Sequence, residues 1–177
     1  MSRILPVSNP QGEAAATLTA IKQKIGMIPN LYATVAHSST VLNAYLAFSE
    51  ALSHGRLTAK QRELIALGIG QANACQYCLS AHTMMSRGAG ISDEQILAAR
   101  QGMASNALDN ALVQLAVALV KQRGVISDEQ WVEAQAQGID EGLLFEVLAQ
   151  VSANTFTNYA NHVVGTDVDF PKVNVQL

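Results

Sequence analysis

"LTAKQRELIALGIGQANACQYCLSAH", residues 57–82, holds two helix starts and both cysteines of the chain. Thr58 followed three residues on by Gln61 is a capping-box pattern. The hydroxyl accepts from a backbone N–H of the first turn, and the amide reaches back to the cap. Leu64, Ile65, Leu67 and Ile69 then recur so densely that the segment has little solvent face. The spacing predicts a helix over 58–73, buried on most sides. Gly68 and Gly70 are expected to weaken its end. Asn73, with Gln76 three residues later, reads as the N-cap of a second helix over 76–88, which puts Cys75 in its first turn.

Helical periodicity extends outward in both directions, with further helices expected near 12–25, 30–37, 40–53, 93–101, 108–123, 128–137 and 141–164. Ser92–Gln95 and Ser127–Gln130 repeat the capping-box pattern. Gly55, Gly88, Gly124 and Gly138 fall where helices should stop. No alternating β-branched run occurs before the last dozen residues. The expected fold is all-α, a multi-helix bundle in one domain over 1–177. Its tail, about 165–177, contains "TDVDFPKVNVQL" and is extended, draped over its own fold or a neighbouring subunit. "ISDEQ" at 91–95 and 126–130 reads as one good helix start used twice. "ANACQYCLSAH" near 72–82 is echoed by "ANTFTNYANH" at 153–162, which leaves a degenerate internal repeat open.

Of the 177 residues 49% are hydrophobic and only 14% charged, against ~25% charged in typical globular proteins. Association is one way to hide such apolar surface, so a homo-oligomer is expected. A net charge of −3 without a basic block argues against nucleic acid as a partner. The N-terminus lacks the apolar region of a signal peptide, and no run of ~18 apolar residues suggests a membrane span. The expected compartment is the cytoplasm. There a CxxC pair is more often catalytic or metal-binding than a structural disulfide.

Cysteines at i and i+3 of a regular helix have Cβ atoms ~5–6 Å apart, whereas a disulfide needs ~3.5–4.5 Å. Cys75 and Cys78 can therefore bridge only if the first lies at a helix start. That position also favours a thiolate, with pKa values of ~3.5–7.5 in place of ~8.5. His82 follows Cys78 by four residues, one turn on along the same face, where an imidazole can take the thiol proton. Glu63 lies on the preceding helix beside small Ala66 and Gly70. It has room for a partner that a buried carboxylate would need, or is solvated near the helix start. His162, with Tyr159 three residues before it, is a candidate for the pocket wall or a structural residue. Met84 and Met85 should line core or pocket. A zinc site of Cys75, Cys78 and His82 with His162 as fourth ligand is an alternative. "GIGQAN" at 68–73 imitates a dinucleotide fingerprint, but it follows no strand and has Asn73 where a small residue belongs.

The pattern Glu63-x11-Cys75-x2-Cys78-x3-His82 resembles the alkyl hydroperoxidase D (AhpD) family of the carboxymuconolactone decarboxylase-like superfamily. "GMIPNLYATVAHS" at 26–38 and "TNYANHVVGTDVDFP" at 157–171 resemble its peroxidase-related branch, so the likeness spans about 25–171. The resemblance implies an AhpD-like all-α fold, assembly as trimers or hexamers, and thiol-dependent reduction of hydroperoxides without haem, flavin or metal. It implies Cys78 as the attacking thiol, Cys75 as the resolving one, and Glu63 with His82 as the proton relay. The oxidised pair would be reduced by an external dithiol such as a lipoyl-bearing protein. Better-known members carry a histidine where this chain has Tyr77, whose phenol, with pKa ~10, is a poor base. Helix-start electrostatics favour Cys75 as the more acidic thiol, while His82 and the resemblance favour Cys78. A non-redox decarboxylase on the same fold is the other alternative, although those enzymes do not use a CxxC pair.

Overall fold

The computed structural model describes residues 2–177. Among them are nine helices and no strand: α1 (Gly12–Ile25), α2 (Asn30–Val35), α3 (Ser39–Ser53), α4 (Ala59–Ala72), α5 (Gln76–Gly88), α6 (Asp93–Arg100), α7 (Ala107–Lys121), α8 (Asp128–Ala136) and α9 (Glu141–Val164). The expected all-α class holds, and the expected boundaries lie within two residues of those found. All three capping boxes form, with the Thr58, Ser92 and Ser127 hydroxyls each accepting from the backbone N–H of the glutamine three residues on. Both copies of "ISDEQ" are such starts.

The central element is α4, packed against α5, α6, α7 and α9. Its residues 64–70 are all buried, which is why its sequence has no polar face. Ile65 and Ile69 pack with Leu112 of α7 and Val147 of α9, while Leu64 and Leu67 pack with Leu79, Ile96 and Val113. Truncating such a side chain to alanine costs ~2–5 kcal/mol. Gly68 and Gly70 do not weaken the helix as expected. A Cβ on Gly68 would lie 3.1 Å from the side chains of Val113 and Val117, and one on Gly70 would lie 3.5 Å from Leu79. The two glycines let α7 and α5 approach, and tertiary packing outweighs their poor helix propensity.

The turn between α4 and α5 departs from expectation by two residues. Asn73 ends α4 as its C-cap. Ala74 adopts the left-handed conformation, with φ +52°. The Cys75 N–H donates to the Gly70 carbonyl at 2.9 Å and the Ala74 N–H to that of Gln71 at 3.0 Å. These are the paired bonds of a Schellman motif. The chain reverses there, and Cys75 itself becomes the N-cap of α5, its Sγ accepting from the Cys78 N–H at 3.4 Å. The Asn73 side chain is engaged elsewhere, donating to Asn158 Oδ1 at 2.8 Å. Gly88 is the last residue of α5, and the reversal after it falls on Gly90, with φ +78°. The echo between 72–82 and 153–162 joins unlike structures, a helix–turn–helix in one case and uninterrupted α9 in the other.

Residues 166–177 contain no helix and lie over the chain's own fold. Val168 and Phe170 pack on the cysteine segment, and Val173 and Val175 on the α4–α7 cluster. The Asn30 N–H donates to Asp169 at 2.7 Å, and the Val173 N–H to Ser80 Oγ at 3.1 Å. Among the described residues no helix is long and apolar enough to cross a membrane.

Candidate active site

The turn that makes Cys75 the N-cap makes Cys78 the third residue of α5. Both thiols are free and buried, with Sγ atoms 2.8 Å apart. The helix-start advantage expected for Cys75 therefore belongs to Cys78, inside the first turn where backbone N–H groups favour an anion. The Cys75 S–H donates to Cys78 and holds its thiol down at about 6 against the opposing effect of burial. The charge of His82 and the side-chain amides of Asn161 and Asn158 act in the same direction. Cys75 is pushed up, first by its bond to Cys78 and then by burial. The electrostatic conflict between the two cysteines thus falls on the side of Cys78 as the thiolate.

Two of these partners escaped the sequence reading. Asn161 Nδ2 donates to Cys78 Sγ at 3.3 Å, and Asn158 is fully buried beside it. Gln150, Asn154, Asn158 and Asn161 form a buried polar strip along α9. The signal was an amide recurring every three or four residues on an otherwise apolar helix. His162 and Tyr159, the expected wall residues of that helix, are exposed instead. They sit one residue from the buried asparagines, and one residue on a helix is a rotation of ~100°.

His82 and Glu63 do meet. His82 Nδ1 lies 2.9 Å from Glu63 Oε2, with the two side chains 20% and 19% exposed. Burial opposes charge on the imidazole, but the Glu63 carboxylate, and then Cys78, raise its pKa overall. With Nδ1 engaged by Glu63, Nε2 is the nitrogen free to serve the sulfur or a bound molecule. Tyr77 lines the same cavity as Cys78 and His82. Its hydroxyl accepts the Leu31 N–H at 3.2 Å, and its ring meets that of Phe170 edge-on at 5.5 Å. Burial, with the Asp169 carboxylate beside it, pushes the phenol pKa far up. Tyr77 is a neutral strut tying α5 to α2 and the tail.

Cys78, Glu63 and His82 line one cavity of about 350 Å³, together with Tyr32, Tyr45 and the half-exposed Met84 and Met85. A second cavity, of about 450 Å³ between α7 and α8, has neither cysteine nor histidine in its lining. Among the described residues no three or more His, Cys, Asp or Glu side chains gather as a metal site. The zinc set is not assembled, because His162 faces outward.

Fold and site together define an all-α AhpD-like architecture carrying a buried CxxC pair beside a Glu–His pair. Residues 40–122 match the carboxymuconolactone decarboxylase family. The fold matches a peroxidase-related protein with an alkylhydroperoxidase AhpD core from Ralstonia eutropha JMP134, with a TM-score of 0.80 and 19% identity over 93% of this chain and 92% of that one. It matches a peroxidase-related protein from Silicibacter sp. TM1040, with a TM-score of 0.82 and 20% identity over 92% and 88% of the two chains. It also matches the debrominase Bmp8 in complex with 2,3,4-tribromopyrrole, with a TM-score of 0.81 and 16% identity over 96% and 92%. No curated protein matches the chain. At these identities the structural likeness is one of fold. The family match takes in Glu63, Cys75, Cys78 and His82, and the AhpD-like fold extends over nearly the whole chain.

Proposed function

We propose that the protein reduces organic hydroperoxides through a Cys75–Cys78 dithiol–disulfide cycle. The observation that carries this reading is the sulfur pair itself, 2.8 Å apart, in surroundings that push the Cys78 pKa down to about 6 and that of Cys75 up. His82, oriented by Glu63, takes the Cys78 proton. The thiolate attacks the distal oxygen of the hydroperoxide. The O–O bond breaks, a sulfenic acid forms on Cys78, and the alcohol leaves after gaining a proton. The Cys75 sulfur then displaces hydroxide, which departs as water, and a disulfide closes. An external dithiol, of which a lipoyl group is one chemical type, restores both thiols by exchange. The Met-lined cavity suits an organic peroxide, and no step calls on a metal or cofactor.

The test is peroxide titration of the reduced protein with cumene hydroperoxide. One equivalent should remove both thiols and leave a chain lighter by two hydrogens. Unchanged thiols would overturn the proposal. The debrominase of the same fold suggests a second reading. A dithiol can reduce a carbon–bromine bond, giving the hydrocarbon, bromide, a proton and the same disulfide. Bromide release from a bromopyrrole at a rate exceeding hydroperoxide turnover would favour it.

We also propose that the chain self-associates through one apolar face. Phe145, Leu148, Phe156, Tyr159 and Val163 run down the outer side of α9, beside exposed Val41 and Phe48 of α3. Large apolar side chains exposed along one helix face mark an interface.

A further inference from the structure

Resting on the peroxidase reading, we propose that Tyr32 is the acid that protonates the departing alkoxide. Attack on an O–O bond is in line, so the leaving oxygen lies beyond the distal oxygen as seen from sulfur. The acid that serves it must approach from a wall of the cavity other than the one bearing the thiolate. His82 is on α5 with Cys78, one turn along, and is placed beside the sulfur. Tyr32 comes from α2. Its side chain packs against the cluster formed by Leu31, Cys75, Tyr77 and Cys78, and it lines the same cavity as Cys78.

A second tyrosine stands behind it. Tyr45 of α3 lies with its ring 6.2 Å from that of Tyr32, and on its other side 5.5 Å from Phe156. Tyr45 and Ser49 line the cavity as well. Burial raises the Tyr32 pKa, the Tyr45 hydroxyl pulls it down, and the negative charge of Cys78 raises it. Tyr32 is therefore protonated in the resting site. As sulfur becomes the neutral sulfenic acid, its charge passes to the leaving oxygen. Burial still opposes ionisation of the phenol, but the added opposition from the sulfur's charge disappears, and a strong base arises within the same cavity. The proton moves from Tyr32 Oη to the alkoxide, which is far more basic than a phenolate with its ordinary pKa of ~10. The phenolate recovers a proton from the imidazolium of His82 or from water. The balance is thiolate, hydroperoxide and phenol giving sulfenic acid, alcohol and phenolate.

The test compares Tyr32→Phe with the wild-type full-length chain, measuring single-turnover oxidation of Cys78 by two oxidants. Cumene hydroperoxide leaves as an alkoxide and needs a proton. Peroxybenzoic acid leaves as a carboxylate of pKa ~4 and does not. Tyr32→Phe should slow the alkyl hydroperoxide by about 100-fold, the lower end of general-acid effects, and leave the peroxyacid rate nearly unchanged. Equal slowing of both oxidants, or of neither, would overturn the role of Tyr32 while leaving the peroxidase reading intact. A wild-type chain inert to both would overturn that reading and the inference with it. If Tyr32→Phe does not fold, a leaving-group series on the wild type serves. A shallow dependence of rate on leaving-group acidity supports an acid in the site. A slope as steep as that of a free thiolate in water excludes one.

Discussion

Cys75 and Cys78 are the same residue type three positions apart, and their environments drive them in opposite directions. Cys78 is stabilised from three sides: by the Cys75 S–H, by the Asn161 amide on α9, and by the cationic side of the His82–Glu63 pair. Cys75 keeps its proton, donates it in a hydrogen bond to Cys78, and has its own pKa raised. The sign of the resulting pH dependence follows. Cys78 ionises more readily in the folded chain than in the unfolded one, so its contribution to stability is complete above the ordinary thiol range and is lost as pH falls through about 6. Alkylation of Cys78 by iodoacetamide should therefore rise with a midpoint near 6. His82→Asn should move that midpoint upward by removing a cation. A midpoint in the range of a free thiol, ~8.5, would show that the donors do not act on the sulfur.

The helices themselves were largely legible, because the signals that start them are local. A Ser or Thr with Gln three residues on satisfies the same orphan N–H groups wherever it occurs. The α4–α5 turn was not legible, because alanine has no local preference for the left-handed region. Ala74 is held there by the bonds to Gly70 and Gln71 and by packing on both sides. The two-residue shift made Cys75, in place of Asn73, the cap of α5. Left-handed alanine is strained by ~1–2 kcal/mol, so Ala74→Gly should stabilise the fold by up to ~1 kcal/mol after the entropy glycine loses. Urea denaturation would read that gain, and a loss of stability would mean that the methyl group packs productively. Glu63, Cys75, Cys78 and His82 were visible as a spacing. The asparagines of α9 were not, because choosing between Asn161 and His162 requires knowing which way the helix faces.

The whole molecule places the cysteine pair under three covers: α2 through Tyr77 and Leu31, α9 through its asparagines, and the tail through Val168 and Phe170. Opposite in character is the apolar outer side of α9, with Phe145, Tyr159 and Val163 exposed on a chain that is only 14% charged. Tyr159 and Val163 flank His162, so the segment first read as a pocket wall belongs to the face assigned to self-association. Phe145→Asp, at an exposed position, should leave the fold intact and lower the mass measured by light scattering to that of one chain. Wild type and variant of equal mass would exclude this face as an interface.

The central claim is that Cys78 is the thiolate that meets the oxidant and Cys75 the thiol that resolves it. Intact-mass measurement of two single-cysteine chains after stoichiometric cumene hydroperoxide tests it most directly. The account predicts that Cys75→Ser gains one oxygen at Cys78, trapped as a dimedone adduct, while Cys78→Ser stays unmodified on the same timescale. Rapid sulfenic acid formation in the Cys78→Ser chain, with none in Cys75→Ser, would contradict it.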